Sequence, residues 1–128
     1  LWYTDAVIFA YNTGIVKGVT ETTFEPDTKI TREQLVTILY RLAQAAGVDV
    51  SIGEETNILS YPDAEKVSPY AVEAIQWAVG AGILNGITYE GDKEIYLAPQ
   101  GLATRAQAAK LIVTFVIYAE ENSNPVIQ

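Results

Sequence analysis

Ile30-Thr31-Arg32-Glu33-Gln34 and Ala103-Thr104-Arg105-Ala106-Gln107 are two versions of one helix start, 73 residues apart. In each, Thr and Gln stand three apart directly before an apolar helical stripe. That is the spacing of a capping box: Thr accepts from the amide of the third helical residue, Gln reaches back to the Thr amide, and together they contribute on the order of 1 kcal/mol. The stripes are Leu35, Ile38, Leu39, Leu42 and Ala46 in the first copy, and Ala108, Leu111, Ile112, Phe115 and Ala119 in the second. Both repeat at three and four, the period of an amphipathic helix, and Gly47 is placed to end the first of them.

Working outward, the repeat extends upstream of each helix start. Residues Trp2 to Ala10 lie on Tyr70 to Ala78 at an offset of 68, which also carries Gly14-Ile15 onto Gly82-Ile83 and Gly18 onto Gly86. Phe24-Glu25-Pro26 then lies on Leu97-Ala98-Pro99 at the offset of 73, so the second copy holds five more residues between Gly86 and Pro99. The turn residues of Ile87 to Glu94 predict a lengthened loop or a small hairpin there. Each copy opens with a helix of its own, striped by Tyr3, Ala6, Val7 and Ala10 or by Tyr70, Ala74, Ile75 and Ala78. Ser68-Pro69 reads as an N-cap with a first-turn proline, and Gly14 and Gly82 as left-handed stops. The Gly-x-x-x-Gly stretches have polar flanks and read as turns rather than as membrane-helix packing. The chain thus predicts an all-α fold of two helix-loop-helix repeats packed together, with short extended or hairpin segments in the loops. The repeats occupy residues 1–47 and 61–119, joined by a linker over 48–60 and followed by a polar tail over 120–128.

The chain has 128 residues, no Cys, no His, and 8 Lys plus Arg against 16 Asp plus Glu, for a net charge of −8. Without Cys there are no disulfides, thiolate metal sites or cysteine nucleophiles. Without His, serine-histidine triads, histidine metal sites and histidine bases are excluded. The carboxylate pairs Glu54-Glu55 and Glu120-Glu121 lie in the linker and near the tail and read as solvated charge, so the sequence predicts a non-enzymatic protein with no cofactor and no bound metal. No basic run interleaves with aromatics, which excludes nucleic acid as the expected partner. The longest apolar stretch, Ala108 to Ala119, is interrupted by Lys110 and Thr114 and is too short for a bilayer. Residue 1 falls directly into a helical pattern with no signal-peptide signature, and the chain reads as a piece of a longer one.

Arg32 and Arg105 are the residues that capping does not explain. A cation in the first turn opposes the helix dipole at a cost of a few tenths of a kcal/mol, yet the placement occurs twice among only 8 cations. Either each Arg bridges to a nearby carboxylate, or each joins the helix amides in holding an anion such as a carboxylate or phosphate. Trp77 reads as core. Trp2 is balanced between core and surface, and Tyr3, Tyr11, Tyr40 and Tyr70 are further aromatics able to stack on a sugar face.

Tyr61-Pro62-Asp63, Ala74-Ile75-x-Trp77-Ala78, Gly82-Ile83-x-x-Gly86, Leu97-x-Pro99 and Ala103-Thr104-Arg105-Ala106-Gln107, in that order, resemble a complete S-layer homology module. Trp2 to Arg41 resembles a second one, clipped at its start because its opening aromatic-x-Asp element would precede residue 1. The resemblance implies an extracellular anchor of the bacterial cell wall or S-layer. Such an anchor binds anionic, often pyruvylated, secondary cell-wall polysaccharide or another peptidoglycan-linked polymer. It also implies that Arg32 and Arg105 face the acidic sugar and that Asp63 lines or braces the groove. Thr31, Thr104, Trp2 and Tyr70 complete the expected polysaccharide-binding set. Gln34 and Gln107 stand where the family often has Glu, which keeps the capping geometry and removes a negative charge. Family members commonly combine three modules, so a third repeat in cis or in trans is an expected partner. The alternative reading is a structural module mediating assembly between domains or chains at the cell surface, with the two Arg residues in salt bridges.

Overall fold

A computed structural model describes residues 30–123 of the chain, the side chain of Arg105 excepted. Among them are three α-helices, α1 (Arg32–Ala45), α2 (Val72–Gly80) and α3 (Arg105–Asn122), with 3-10 turns at Ser51–Glu55, Ala64–Lys66 and Pro69–Ala71. The described residues hold no strand, only isolated bridges at Thr31 with Leu102, Val48 with Ser123 and Ile87 with Tyr96. The class is all-α, as the stripes predict. No described helix is long and apolar enough to cross a membrane. The helix expected at the start of copy one, with Trp2, Gly14 and Gly18, lies outside the described residues.

Both helix starts form the capping box that the sequence predicts. Gln34 N donates to Thr31 Oγ1 at 3.2 Å and Thr31 N to Gln34 Oε1 at 2.9 Å. In the second copy Gln107 N donates to Thr104 Oγ1 at 3.1 Å and Thr104 N to Gln107 Oε1 at 3.0 Å. Gly47 (φ 77°) and Gly82 (φ 76°) are left-handed. They turn the chain so that Val48 N reaches Ala43 O, and Ile83 N reaches Ala78 O, at 2.9 and 2.8 Å.

The start of α2 differs from expectation. Ser68 makes no side-chain cap, and Pro69–Ala71 forms a 3-10 turn ahead of the helix. The Ser68 amide and hydroxyl are directed instead to Glu33 of the other copy. The stretch after Gly47 is also more ordered than its composition suggests. Its Ser51–Glu55 turn packs on α2, and Gly53 lies so close that an added Cβ would stand 3.0 Å from Trp77 Cα. α3 continues past Ala119 to Asn122, where Asp49 N donates to Asn122 O and the Tyr118 hydroxyl to Asp49 O, each at 3.0 Å.

Trp77 is the centre of the core and is fully buried. Its ring lies 5.5 Å from that of Tyr40 on α1, and meets Phe115 and Tyr118 of α3 edge-on at 6.2 and 5.9 Å. Burying a ring of this size contributes about 5 kcal/mol before conformational entropy is subtracted. Leu35, Leu39 and Leu42 of α1, Ala74, Ile75 and Ala78 of α2, and Leu111, Phe115 and Ala119 of α3 close around it. The helix-helix packing of α2 is with α1 of the other copy. The copies therefore interlock, and the candidate site forms where they meet.

Candidate functional site

The loop Leu97 to Gly101 of copy two wraps the start of α1 in copy one. Arg32 N donates to Gly101 O at 2.9 Å and Glu33 N to Pro99 O at 3.0 Å. With Gln34 N on Thr31 Oγ1 and Thr31 N on Gln34 Oε1, the amides that open α1 are occupied. Of the two uses considered for Arg32, the one in which free helix amides share an anion is therefore closed at α1.

Arg32 is 4% exposed, and its Nε donates to Leu97 O at 3.1 Å. Burial lowers its pKa, while Tyr89 and Asp63 act in the opposite direction through their charge. Asp63 is also buried. Its two carboxylate oxygens accept from Leu97 N at 2.9 Å and Ala98 N at 2.8 Å. Those bonds fix a loop in which Ala98 has the unfavourable φ of 49°. Asp63 thus holds the loop whose carbonyl holds Arg32.

Glu33, beside Arg32, is 1% exposed. Its carboxylate accepts from Ser68 N at 3.2 Å, Ser68 Oγ at 3.0 Å and Gln100 Nε2 at 2.9 Å. Sequence reasoning missed this clamp. The one signal for it was the contrast between Glu33 and its counterpart Ala106, an acid in only one of two otherwise matched helix starts.

On its open side Arg32 lines a cavity of about 120 Å³. The remaining walls belong to copy two: Ile83 to Ile87 of the Gly-x-x-x-Gly turn, and Gln107, Lys110 and Leu111 of α3. Gly86 (φ 86°) permits this wall, since a Cβ there would come within 2.9 Å of Tyr96 O. Next to it the five-residue insertion, expected as a lengthened loop or a small hairpin, closes as a hairpin-like loop on one bridge. Ile87 N donates to Tyr96 O at 2.7 Å and Tyr96 N to Ile87 O at 2.9 Å, the Tyr89 and Tyr96 rings lie 5.5 Å apart, and the Tyr96 hydroxyl donates to Asp92 at 2.7 Å. Lys110 and Asn85, which the sequence did not single out, thereby join Arg32. In the sequence Lys110 reads only as a break in an apolar run.

The other expected site residues are dispersed. Thr31 and Thr104 are spent as caps. Tyr70 stands on the turn before α2 with 54% of its surface exposed. Partial burial, then the Glu33 carboxylate beside it, raise its pKa. The side chain of Arg105 and the whole of Trp2 lie outside what the structure describes.

Comparison with known proteins shows the family. The family model described as "S-layer homology domain" matches residues 2–36 and 60–109. The chain is 32% identical over 115 residues to an endoglucanase of Bacillus sp. (strain KSM-635), covering 90% of the chain and 12% of that protein. It is 33% identical over 113 residues to Exoglucanase XynX of Acetivibrio thermocellus, covering 87% of the chain and 10% of that protein. It is 30% identical over 108 residues to the Surface-layer 125 kDa protein of Lysinibacillus sphaericus, covering 84% of the chain and 8% of that protein. The chain spans only about a tenth of the length of these relatives. No solved structure matches it. Two matched segments in register with the internal repeat, and the ordered motifs they contain, place the chain in the S-layer homology domain family, whose non-catalytic modules anchor proteins at the cell surface.

Proposed function

We propose that the chain anchors an exported protein to the bacterial envelope by taking an anionic substituent of secondary cell-wall polysaccharide, a pyruvyl carboxylate by preference, into the Arg32 cavity. The observation carrying this reading is that Arg32 from one copy and Lys110 from the other line one small cavity in a chain of net charge −8. A locally cationic pocket in an acidic protein discriminates by contact rather than by long-range attraction, because repulsion from distant carboxylates is screened within about 10 Å at 0.1 M salt.

The roles divide as follows. The Arg32 guanidinium, partly desolvated, offers its terminal nitrogens to a carboxylate, and Lys110 adds a second charge. Asn85 and Gln107 supply neutral hydrogen bonds to sugar hydroxyls. Asp63 is a positioning residue that fixes the Leu97–Ala98 amides. Thr31 orients the helix start that carries Arg32, Thr104 does the same for Arg105, and the exposed ring of Tyr70 is available for stacking on a sugar face. Trp2 retains the sugar-stacking role read from the sequence, and a third repeat remains the expected partner where the parent protein supplies one.

Co-sedimentation with purified wall polymer tests the proposal. Lys110 is exposed, so Lys110→Ala leaves the fold intact and is expected to weaken binding by roughly tenfold, the scale of one charge-assisted contact. Undiminished binding by Lys110→Ala and by Arg32→Lys together would overturn it.

A further inference from the structure

The five extra residues of copy two bring tyrosines with them. Between Gly18 and Pro26 the first copy has none, whereas the matching stretch from Gly86 to Pro99 has Tyr89 and Tyr96. Their rings lie 5.5 Å apart and are inclined at 57°, but the two are held unequally. Tyr96 is half-buried, exchanges both backbone hydrogen bonds with Ile87, and donates its hydroxyl to Asp92. Tyr89 leaves 53% of its surface to solvent. A single exposed ring is ordinary on a protein surface; the position of this one is not. Ile87 belongs to the wall of the Arg32 cavity, and a residue two further along an extended segment faces the same side. Tyr96 stands directly opposite Ile87, and its ring meets Tyr89 diagonally, as side chains on one face do. Ile87, Tyr89 and Tyr96 therefore share a face, and that face carries the cavity wall outward. The charge of Tyr89 acts on Arg32, which agrees with a phenol lying towards the guanidinium.

We infer that Tyr89 is a specificity-determining residue of this site, its ring the platform on which the sugar stacks while the sugar's anionic substituent enters the Arg32 cavity. The inference rests on the reading of that cavity given above and adds what recognises the sugar itself. Size makes a platform necessary. The cavity holds about 120 Å³, well below the roughly 300 Å³ at which pockets enclose a whole small molecule. A carboxylate-bearing substituent enters, and the pyranose that carries it stays at the mouth. Tyrosine suits that place because it offers a large, rigid, amphipathic face with few torsions to fix. Packing on Tyr96 orients the ring beforehand, so little side-chain freedom remains to be lost on binding.

NMR titration of the natural chain, Tyr89→Phe, Tyr89→Leu and Lys110→Ala with a pyruvylated hexosamine and with free pyruvate tests this. Leucine keeps apolar packing on Tyr96 and loses the aromatic face, and exchange of the Ile87 and Tyr96 amides reports that the loop is retained. Tyr89→Phe is expected to bind the sugar as the natural chain does, and Tyr89→Leu roughly tenfold more weakly. Affinity for free pyruvate is expected to be the same in the natural chain and both Tyr89 variants. Undiminished sugar binding by Tyr89→Leu, where Lys110→Ala is weakened, would overturn the inference alone; undiminished binding by both variants would overturn the reading of the cavity with it. A parallel loss of pyruvate in Tyr89→Leu would show Tyr89 serving the anion and contradict the platform. In the natural chain, with no substitution, nuclear Overhauser contacts are expected between the Tyr89 ring and the sugar C–H groups. Their absence at saturating sugar would contradict it equally.

Discussion

Ala103 N donates to Ile30 O at 2.9 Å, and these two residues occupy the same position in the two copies of the repeat. The copies are thus joined at the point where each begins its second helix, one residue before the capping Thr. With α2 packed on α1 and the Leu97–Gly101 loop wrapped around the start of α1, the core and the site among the described residues are built from both copies.

Glu33 is the tightest link in that junction. Glu33→Ala removes the acceptor of the Ser68 amide and hydroxyl, while the Gln100 amide keeps Lys66 O. With the Ser68 donors part-buried and open to some recovery by water, the expected loss is roughly 1–3 kcal/mol. Urea unfolding measures it, and a change under about 0.5 kcal/mol would contradict the clamp.

Gly53 is required by proximity. Gly53→Ala places a Cβ 3.0 Å from both Trp77 N and Trp77 Cα, backbone atoms that cannot yield as a flexible side chain would. Displacing the Ser51–Glu55 turn from α2 is expected to cost about 1–3 kcal/mol, read as a lower Tm with a change in the near-ultraviolet circular dichroism of Trp77.

The hairpin carries a pH dependence of definite sign. The Glu94 amide, then the Tyr96 hydroxyl, donate to Asp92 and hold its pKa below the ordinary value of 3.8. A depressed carboxylate stabilises fully above its unfolded value, and that contribution is lost as pH falls through the folded value. Exchange of the Ile87 and Tyr96 amides is therefore expected to accelerate, beyond the intrinsic pH effect, below about pH 4. Asp92→Asn is expected to abolish that dependence.

Ala98 holds its φ of 49° because Asp63 binds the flanking amides. Ala98→Gly relieves a left-handed conformation that costs about 1–2 kcal/mol, and gives back part of that through the freer unfolded chain. A net gain of about 0.5 kcal/mol in calorimetry is expected in the natural chain, and a larger one in Asp63→Asn.

Much of this architecture was legible in the sequence because it is local. The capping boxes at Thr31 and Thr104, the left-handed stops at Gly47 and Gly82, and the hairpin after Gly86 each follow from a few neighbouring residues. Ser68 was misread because its local cap lost to a partner 35 residues away, Glu33. The same distance effect hid the closing of the α1 amides by Pro99 and Gly101, and the placing of Lys110 and Arg32 on one cavity. Periodicity shows which face of a helix is apolar, but not which copy of the repeat will cover it. Arg32 stands out in the sequence because an unfavourable charge is visible locally even when its partners are not.

The most direct measurement is a two-dimensional amide NMR titration of the chain with a pyruvylated hexosamine and with the same sugar after mild-acid removal of the pyruvyl group. The account predicts saturable shifts at Asn85, Gly86, Ile87 and Lys110 with the first ligand, and at least tenfold weaker binding of the second. Shifts confined to other surfaces, or equal affinity for the two sugars, would contradict it.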